Sequence, residues 1–390
     1  MTVADQFPAD DQPLRVSTLE LFFDLVFVFT ITQLTGLLAR DLTPTGALRV
    51  LLIFGVLWWM YGGYAWLTNA RTPAELPERL LLLLAMAGFL VIGLSIPQAF
   101  TRRGEGVALG LGYLLVVVVH GALYLRLNRN ILRLAPFNVA SALLVIAAGV
   151  TLGAAGYALW IAAIALQVLS PLIAHPQGRF SIQPAHFVER HGALLIVAFG
   201  ESVADIGIGV AGHPVTPALI TQAVLGLALA AALWWAYFGV GDDERAEDAM
   251  TRADPAARPG LALNAYFYAY IPMLLGIVAL AAGVKQVIGQ AGPARYPACL
   301  ALAGGVALYL AGDVAFRHAL RIGTQRYRAA AAVAALAAAA VGVTLSVAGQ
   351  IALLTLIVAA ALVVERQRDL VAPARGSGGV LRVRPPGPAQ

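Results

Sequence analysis

The 390-residue sequence predicts an all-α, polytopic integral membrane protein of about 12 transmembrane helices, arranged as a six-plus-six internal repeat. Three observations carry that expectation. The chain is 60% hydrophobic and only 12% charged, against roughly 25% charged residues in soluble domains. Runs of about 20 apolar residues recur from Leu19 to Val364, each long enough to cross a ~30 Å hydrocarbon layer as a helix. Basic residues gather on alternate sides of those runs.

Taken in order, the spans are 18–38, 47–67, 79–100, 106–126, 138–154, 156–174, 187–211, 216–239, 262–288, 297–316, 328–348 and 350–365. The first opens after Ser17-Thr18-Leu19-Glu20, which fits a capping box. Only Gly153 to Gly156 separates the fifth from the sixth. The eighth ends before Gly241–Gly260, the longest inner loop, an acidic stretch that reads as solvated. The eleventh contains the alanine tract 329–340 and is barely apolar enough to insert alone, so packing through small residues has to hold it. The expected organisation is an N-terminal segment 1–17, a first six-helix repeat 18–174, an inner loop 175–186, a second repeat 187–366, and a disordered Pro-, Gly- and Arg-rich tail 367–390.

With the N-terminus inside, 20 of the 26 Arg and Lys residues fall on the inner side and 6 on the outer. This fits the positive-inside rule and places both termini in the cytoplasm of a cell bounded by an inner (plasma) membrane. The net charge of +5 is explained by those loops without any nucleic-acid partner. The single Cys299 excludes an internal disulfide and any cysteine-based metal cluster. Acidic Asp5, Asp10 and Asp11 ahead of the first apolar run argue against a cleaved signal peptide.

The repeat rests on two ordered matches. Phe22-Phe23-Asp24-Leu25-Val26 resembles Phe199-Gly200-Glu201-Ser202-Val203, and Trp58-Trp59-Met60-Tyr61 resembles Trp234-Trp235-Ala236-Tyr237 at nearly the same distance downstream. Six spans per unit give the halves one orientation and an axis along the membrane normal. The two tryptophan doublets read as interfacial aromatic belts.

Ionisable residues within spans cost at least ~2.5–3.5 kcal/mol each near a helix centre, so they face protein or water and usually have a task. Glu20 and Asp24 share a face of the first helix; Glu201 and Asp205 repeat that spacing in the seventh. Close carboxylate pairs in low dielectric tend to hold a proton or capture a cation, and these four are the candidates for ion or solute binding. Glu20 has the alternative of simply capping its helix. Gly200, Gly207, Gly209 and Gly212 around the second pair suit either tight packing or a locally unwound helix. Proton-relay or gating candidates are His120, Glu189, Arg190, His191, Asp313 and Arg317. His120 reads equally as a packing residue, and Asp313 one turn before Arg317 reads as an ion pair. His186-Phe187-Val188-Glu189-Arg190-His191 matches neither zinc-protease helix motif, and no metal site or cofactor is expected.

Leu19-Glu20-Leu21-Phe22-Phe23-Asp24-Leu25-Val26-Phe27-Val28-Phe29 after Arg15-Val16 resembles the opening signature of the bacterial low temperature requirement A (LtrA) family. His186 to Gly192, with Gly200-Glu201-Ser202, resembles its second signature. The resemblance implies a multi-pass bacterial membrane protein linked by name to cold growth, without a substrate. Phe22-Phe23-Asp24 is also similar to the Phe-Ser-Asp motif of potassium channels built from six-helix repeats, although both copies here lack the serine.

The expected function is therefore a proton- or cation-coupled secondary transporter of a small solute in a lipid bilayer. Asp24 and Glu201 would face a central path from equivalent helices. A cation channel using the same acids, or a membrane scaffold or sensor, is the alternative. No nucleophile–base set points to an enzyme, and homo-oligomerisation is left open.

Overall fold

A chain buried in lipid must satisfy its backbone hydrogen bonds internally, and helices do so within each segment. The computed structural model describes residues 15–127, 131–174, 182–210, 214–290 and 292–371, and among them there is no strand. Twelve helices of the described residues are long and apolar enough to cross a membrane. In chain order the helices are α1 (Thr18–Arg40), α2 (Pro44–Ala70), α3 (Leu76–Gln98), α4 (Arg103–Leu125), α5 (Ile131–Thr151), α6 (Gly153–Ala174) and α7 (Pro184–Val210). They continue as α8 (Pro217–Trp234), the short α9 (Asp242–Arg252), α10 (Arg258–Val287), α11 (Tyr296–Leu320), α12 (Arg326–Thr344) and α13 (Val347–Val371).

Helix starts follow local chemistry. Ser17 and Glu20 form the expected reciprocal capping box on α1. Thr43 and Thr216 cap α2 and α8, each followed at once by a proline that needs no backbone donor there. The α5–α6 turn is made by Leu152 and Gly153, both left-handed at φ 53° and 57°.

Three boundaries differ from expectation. Helix α5 begins at Ile131 rather than 138 and carries Pro136 within it. The acidic stretch after Gly241 is not a solvated loop: Asp242–Arg252 is helical and Asp242 is fully buried. Helix α13 runs on to Val371, so the beginning of the expected disordered tail is helical. The rest of that tail and residues 1–14 lie outside the described residues.

Within the first half, α1 packs on α2 and α3, and α3 to α6 pack consecutively, with α6 returning to α2. In the second half, α7 packs on α8 and α10, and α10 to α13 pack consecutively, with α13 returning to α8. The order of neighbours is the same. Helices α1 and α7 meet each other, and α10 also touches α1. Helices α10 and α11 pack backbone to backbone: a Cβ on Gly276 would lie 2.6 Å from the Tyr309 backbone nitrogen and one on Gly305 would lie 2.7 Å from the Gly276 carbonyl. Small residues permit that approach where lipid supplies no hydrophobic drive.

Two π-helical turns interrupt the second half, at Trp235–Gly239 after α8 and Leu263–Tyr268 within α10. Each inserts a fully buried tyrosine, Tyr237 and Tyr266, into the middle of the bundle. Such turns are rare and often mark functional positions.

Candidate functional site

Helices α1 and α7 run parallel, and their polar residues pair in register. Glu20 meets His186, with Nε2 3.2 Å from Oε1, and Asp24 meets Arg190, with Nη2 3.2 Å from Oδ1. Each partner recurs after four residues on its own helix, so two successive turns make two rungs. All four side chains are buried.

Arg190 is shared. Its Nη1 donates to Glu20 Oε1 at 3.2 Å and to the Thr68 hydroxyl of α2, while its guanidinium lies 5.6 and 5.7 Å from the ring centres of Phe23 and Tyr61. Asp24 and the Tyr61 hydroxyl face each other, and neither Asp24 Oδ2 nor that hydroxyl bonds to any other group of the network.

The protonation of His186 follows from its neighbours. The Gln183 backbone N–H donates to Asn69 Oδ1 at 3.0 Å, so the other end of that amide is the NH2 group. That NH2 lies 3.2 Å from His186 Nδ1, which therefore has to accept. Nε2 is then the ring nitrogen that carries a proton toward Glu20. One guanidinium serves both carboxylates.

A second network lies in the other half, at the same end of the bundle, where α1 begins and α13 ends. Arg317 of α11 grips Asp242 with Nε to Oδ2 at 2.6 Å and Nη2 to Oδ1 at 3.0 Å, and reaches Glu365 of α13 at 2.5 Å. Arg328 of α12 bonds Asp313 at 2.5 Å and Glu365 at 3.1 Å. Asp242, Asp313, Arg317 and Arg328 are wholly buried. Three carboxylates face two buried guanidiniums, and Asp313 Oδ1 is left without a partner. Arg245, 44% exposed, adds a 3.2 Å contact to Asp242 from the surface. Forming such networks is costly in desolvation, but removing one partner from them costs far more.

Between the networks lies a layer of buried aromatic side chains. The His191 ring is 6.3 Å from Tyr61, 4.9 Å from Tyr266 and 5.5 Å from Tyr270, and the Tyr270 hydroxyl donates to that of Tyr237 at 2.9 Å. His191 itself donates Nδ1–H to the Phe187 carbonyl at 2.8 Å.

Several expected roles are corrected by this arrangement. Asp24 and Glu20 are not open cation ligands, because Arg190 already occupies the space between them. Asp24 and Glu201 do not face a common point: Asp24 is level with Arg190, and Glu201 lies 11 residues further along α7, about 16 Å by helical rise. Glu201 is half-buried beside Thr32 of α1, and Asp205 is tied to Lys285 of α10 at 3.0 Å. Asp313 and Arg317 do not pair with each other; side chains from α9, α12 and α13 reach them first. Glu189, Arg190 and His191 do not act as one cluster. Arg190 and His191 turn inward, whereas Glu189 accepts from the Val16 backbone N–H at 3.3 Å and lines an acidic cavity of about 540 Å³ with Asp243, Glu244 and Glu247.

His120 is not linked to another polar side chain: its ring lies against the Gly63 backbone and makes no side-chain hydrogen bond. Helix α7 stays continuous through its glycines, and at Gly200 and Gly207 an added Cβ would meet nothing within 4 Å, so they serve neither unwinding nor close approach. Gly212 lies outside the described residues. Trp58 is not interfacial; it is buried, stacked on Phe54 and Tyr61, and donates to the Phe267 carbonyl at 3.0 Å. Trp234 and Trp235 are exposed, as a belt requires.

Sequence reasoning missed Thr68, Asn69, Tyr61, Asp242, Arg328 and Glu365. The last three sit at span ends, where a charge reads as a headgroup contact, and the others are uncharged.

The fold and its paired buried ion networks define a polytopic helical membrane protein. Residues 15–363 match the bacterial low temperature requirement A protein family, LtrA, and the chain belongs to that family. It is also similar to a protein of Rhizobium meliloti (strain 1021), described as the uncharacterized protein RA0937. The two are 27% identical over 319 residues, covering 77% of this chain and 76% of the relative.

Proposed function

We propose that this protein is a proton-coupled secondary transporter of a small solute, not an enzyme, with the Glu20–Asp24–Arg190 network as its proton switch. One observation carries the reading: a single buried guanidinium is shared by two buried carboxylates where α1 meets α7. Protonating Asp24 weakens its hold on Arg190, which shifts the balance between α1 and α7. A ligand moves such an equilibrium only through its differential affinity for the two states, and a proton on Asp24 has that property.

Three features support it. The two halves share one order of neighbours, as expected for duplicated six-helix units that rock against each other. Thr68, which accepts from Arg190, also lines a water-sized cavity of about 20 Å³ with Arg71 and Glu78, a route for protons from that end of the bundle. The positive-inside count supports a cytoplasmic orientation of that end in a plasma membrane. The same guanidinium argues against a cation pore along this face, because a fixed positive charge repels the permeant ion.

The test is proton movement in proteoliposomes loaded with a pH-sensitive dye and challenged with a panel of small solutes. A solute that is taken up only with protons, with uptake abolished in Asp24→Asn, supports the reading. Should no solute move protons, or should Asp24→Asn transport as wild type, the reading fails.

A further inference from the structure

Helices α2, α4, α5 and α6 and the π turn of α10 enclose a cavity of about 470 Å³, within the roughly 300–1,000 Å³ of typical small-molecule sites. Its wall is largely apolar and aromatic, with Trp59, Trp66, Phe267 and Tyr268 around His120. His120 is only 5% exposed and makes no hydrogen bond to another side chain. Its Nε2 lies against the Gly63 backbone, where a Cβ would come within 2.9 Å of it, and Nδ1 is left without a partner.

Two further features restrict the occupant. Among the described residues lining the cavity there is no Asp, Glu, Lys or Arg, so neither an anion nor a cation finds its counter-charge. Among the described lining residues one carries a side-chain amide, Asn138, whose Oδ1 already accepts from Trp59 Nε1 at 3.1 Å. The rim is formed by Val168, Leu172 and Tyr268, which are 57%, 67% and 53% exposed on the outer surface of the bundle. That surface includes α6, one of the least buried spans, and faces hydrocarbon in a bilayer.

We infer that this cavity binds an uncharged amphiphile that enters from the bilayer, with one hydroxyl donating to His120 and an apolar body, aromatic at its polar end, against Trp59 and Phe267. The chemical class is that of an alkylphenol. The inference is independent of the proton switch, since no side chain of the α1–α7 network lines the cavity.

The test uses the full-length protein in lipid nanodiscs and 4-octylphenol carrying bromine at the end of its chain, read by quenching of tryptophan emission. Saturable quenching is expected. His120→Leu should weaken it by roughly tenfold or more, the effect of one lost hydrogen bond with its partner left unpaired. Val168→Phe, at the exposed rim, should block entry without touching the core or adding a tryptophan, which keeps the test valid if His120→Leu does not fold. Unbrominated 4-octylphenol should compete, whereas octyltrimethylammonium and octanoate should not. Quenching that never saturates, or that is equal in wild type and Val168→Phe, means partition into lipid only and overturns the inference. Equal competition by either charged amphiphile overturns the assigned class.

Discussion

Asp24 Oδ1 lies 3.2 Å from Arg190 Nη2, and the same guanidinium lies 3.2 Å from Glu20 Oε1. The α1–α7 contact therefore turns on one cation held by two anions. Arg190→Met leaves both carboxylates buried without it and should destabilise the protein by about 3–5 kcal/mol. In an Asp24→Asn background the same change should cost clearly less. Chemical unfolding in detergent, followed by loss of helical signal, measures both; equal costs would mean the two residues are not coupled.

The second network predicts partners that spacing along the chain does not. A double-mutant cycle between Asp313 and Arg328, 2.5 Å apart, should give a coupling of about 1–3 kcal/mol. The cycle between Asp313 and Arg317, one turn away on the same helix, should give much less. Arg245→Ala, at an exposed contact, should cost about 0–1 kcal/mol.

Two histidines five residues apart should hold opposite tautomers. His186 accepts from Asn69 at Nδ1 and carries its proton on Nε2, whereas His191 donates from Nδ1 to the Phe187 carbonyl. Nitrogen-15 shifts of the imidazoles should show His186 protonated at Nε2 and His191 at Nδ1. Asn69→Leu should alter the His186 resonances and leave those of His191 in place.

Glycines of equal appearance should behave oppositely. At Gly276 a methyl group collides with the α11 backbone, so Gly276→Ala should separate α10 from α11 and lower thermal stability by several degrees. Gly200→Ala and Gly207→Ala meet open space on a continuous helix and should be neutral or stabilising by up to about 1 kcal/mol. Melting curves of the three variants decide the matter.

Much of the architecture was legible in the residues. Each of the twelve expected spans has its helix, since an apolar run in lipid has few other ways to satisfy its backbone. The capping box at Ser17 and Glu20 was equally local. The site was legible only in part. Glu20, Asp24 and Arg190 stood out because charges in apolar runs are costly. Asn69 and Thr68 are ordinary polar residues until α2 brings them to α7, and Asp242 looked like one acid among many until α9 folded back onto Arg317.

Composition and hydrophobic run length by themselves determined that this chain is helical and polytopic, because those properties depend on each segment's own transfer energy and backbone bonding. Which charge meets which was decided by tertiary structure alone. An ion pair depends on distances of a few ångströms between helices remote in sequence, and the register of α1 on α7, or of α11 on α12 and α13, is set by packing that no single segment contains.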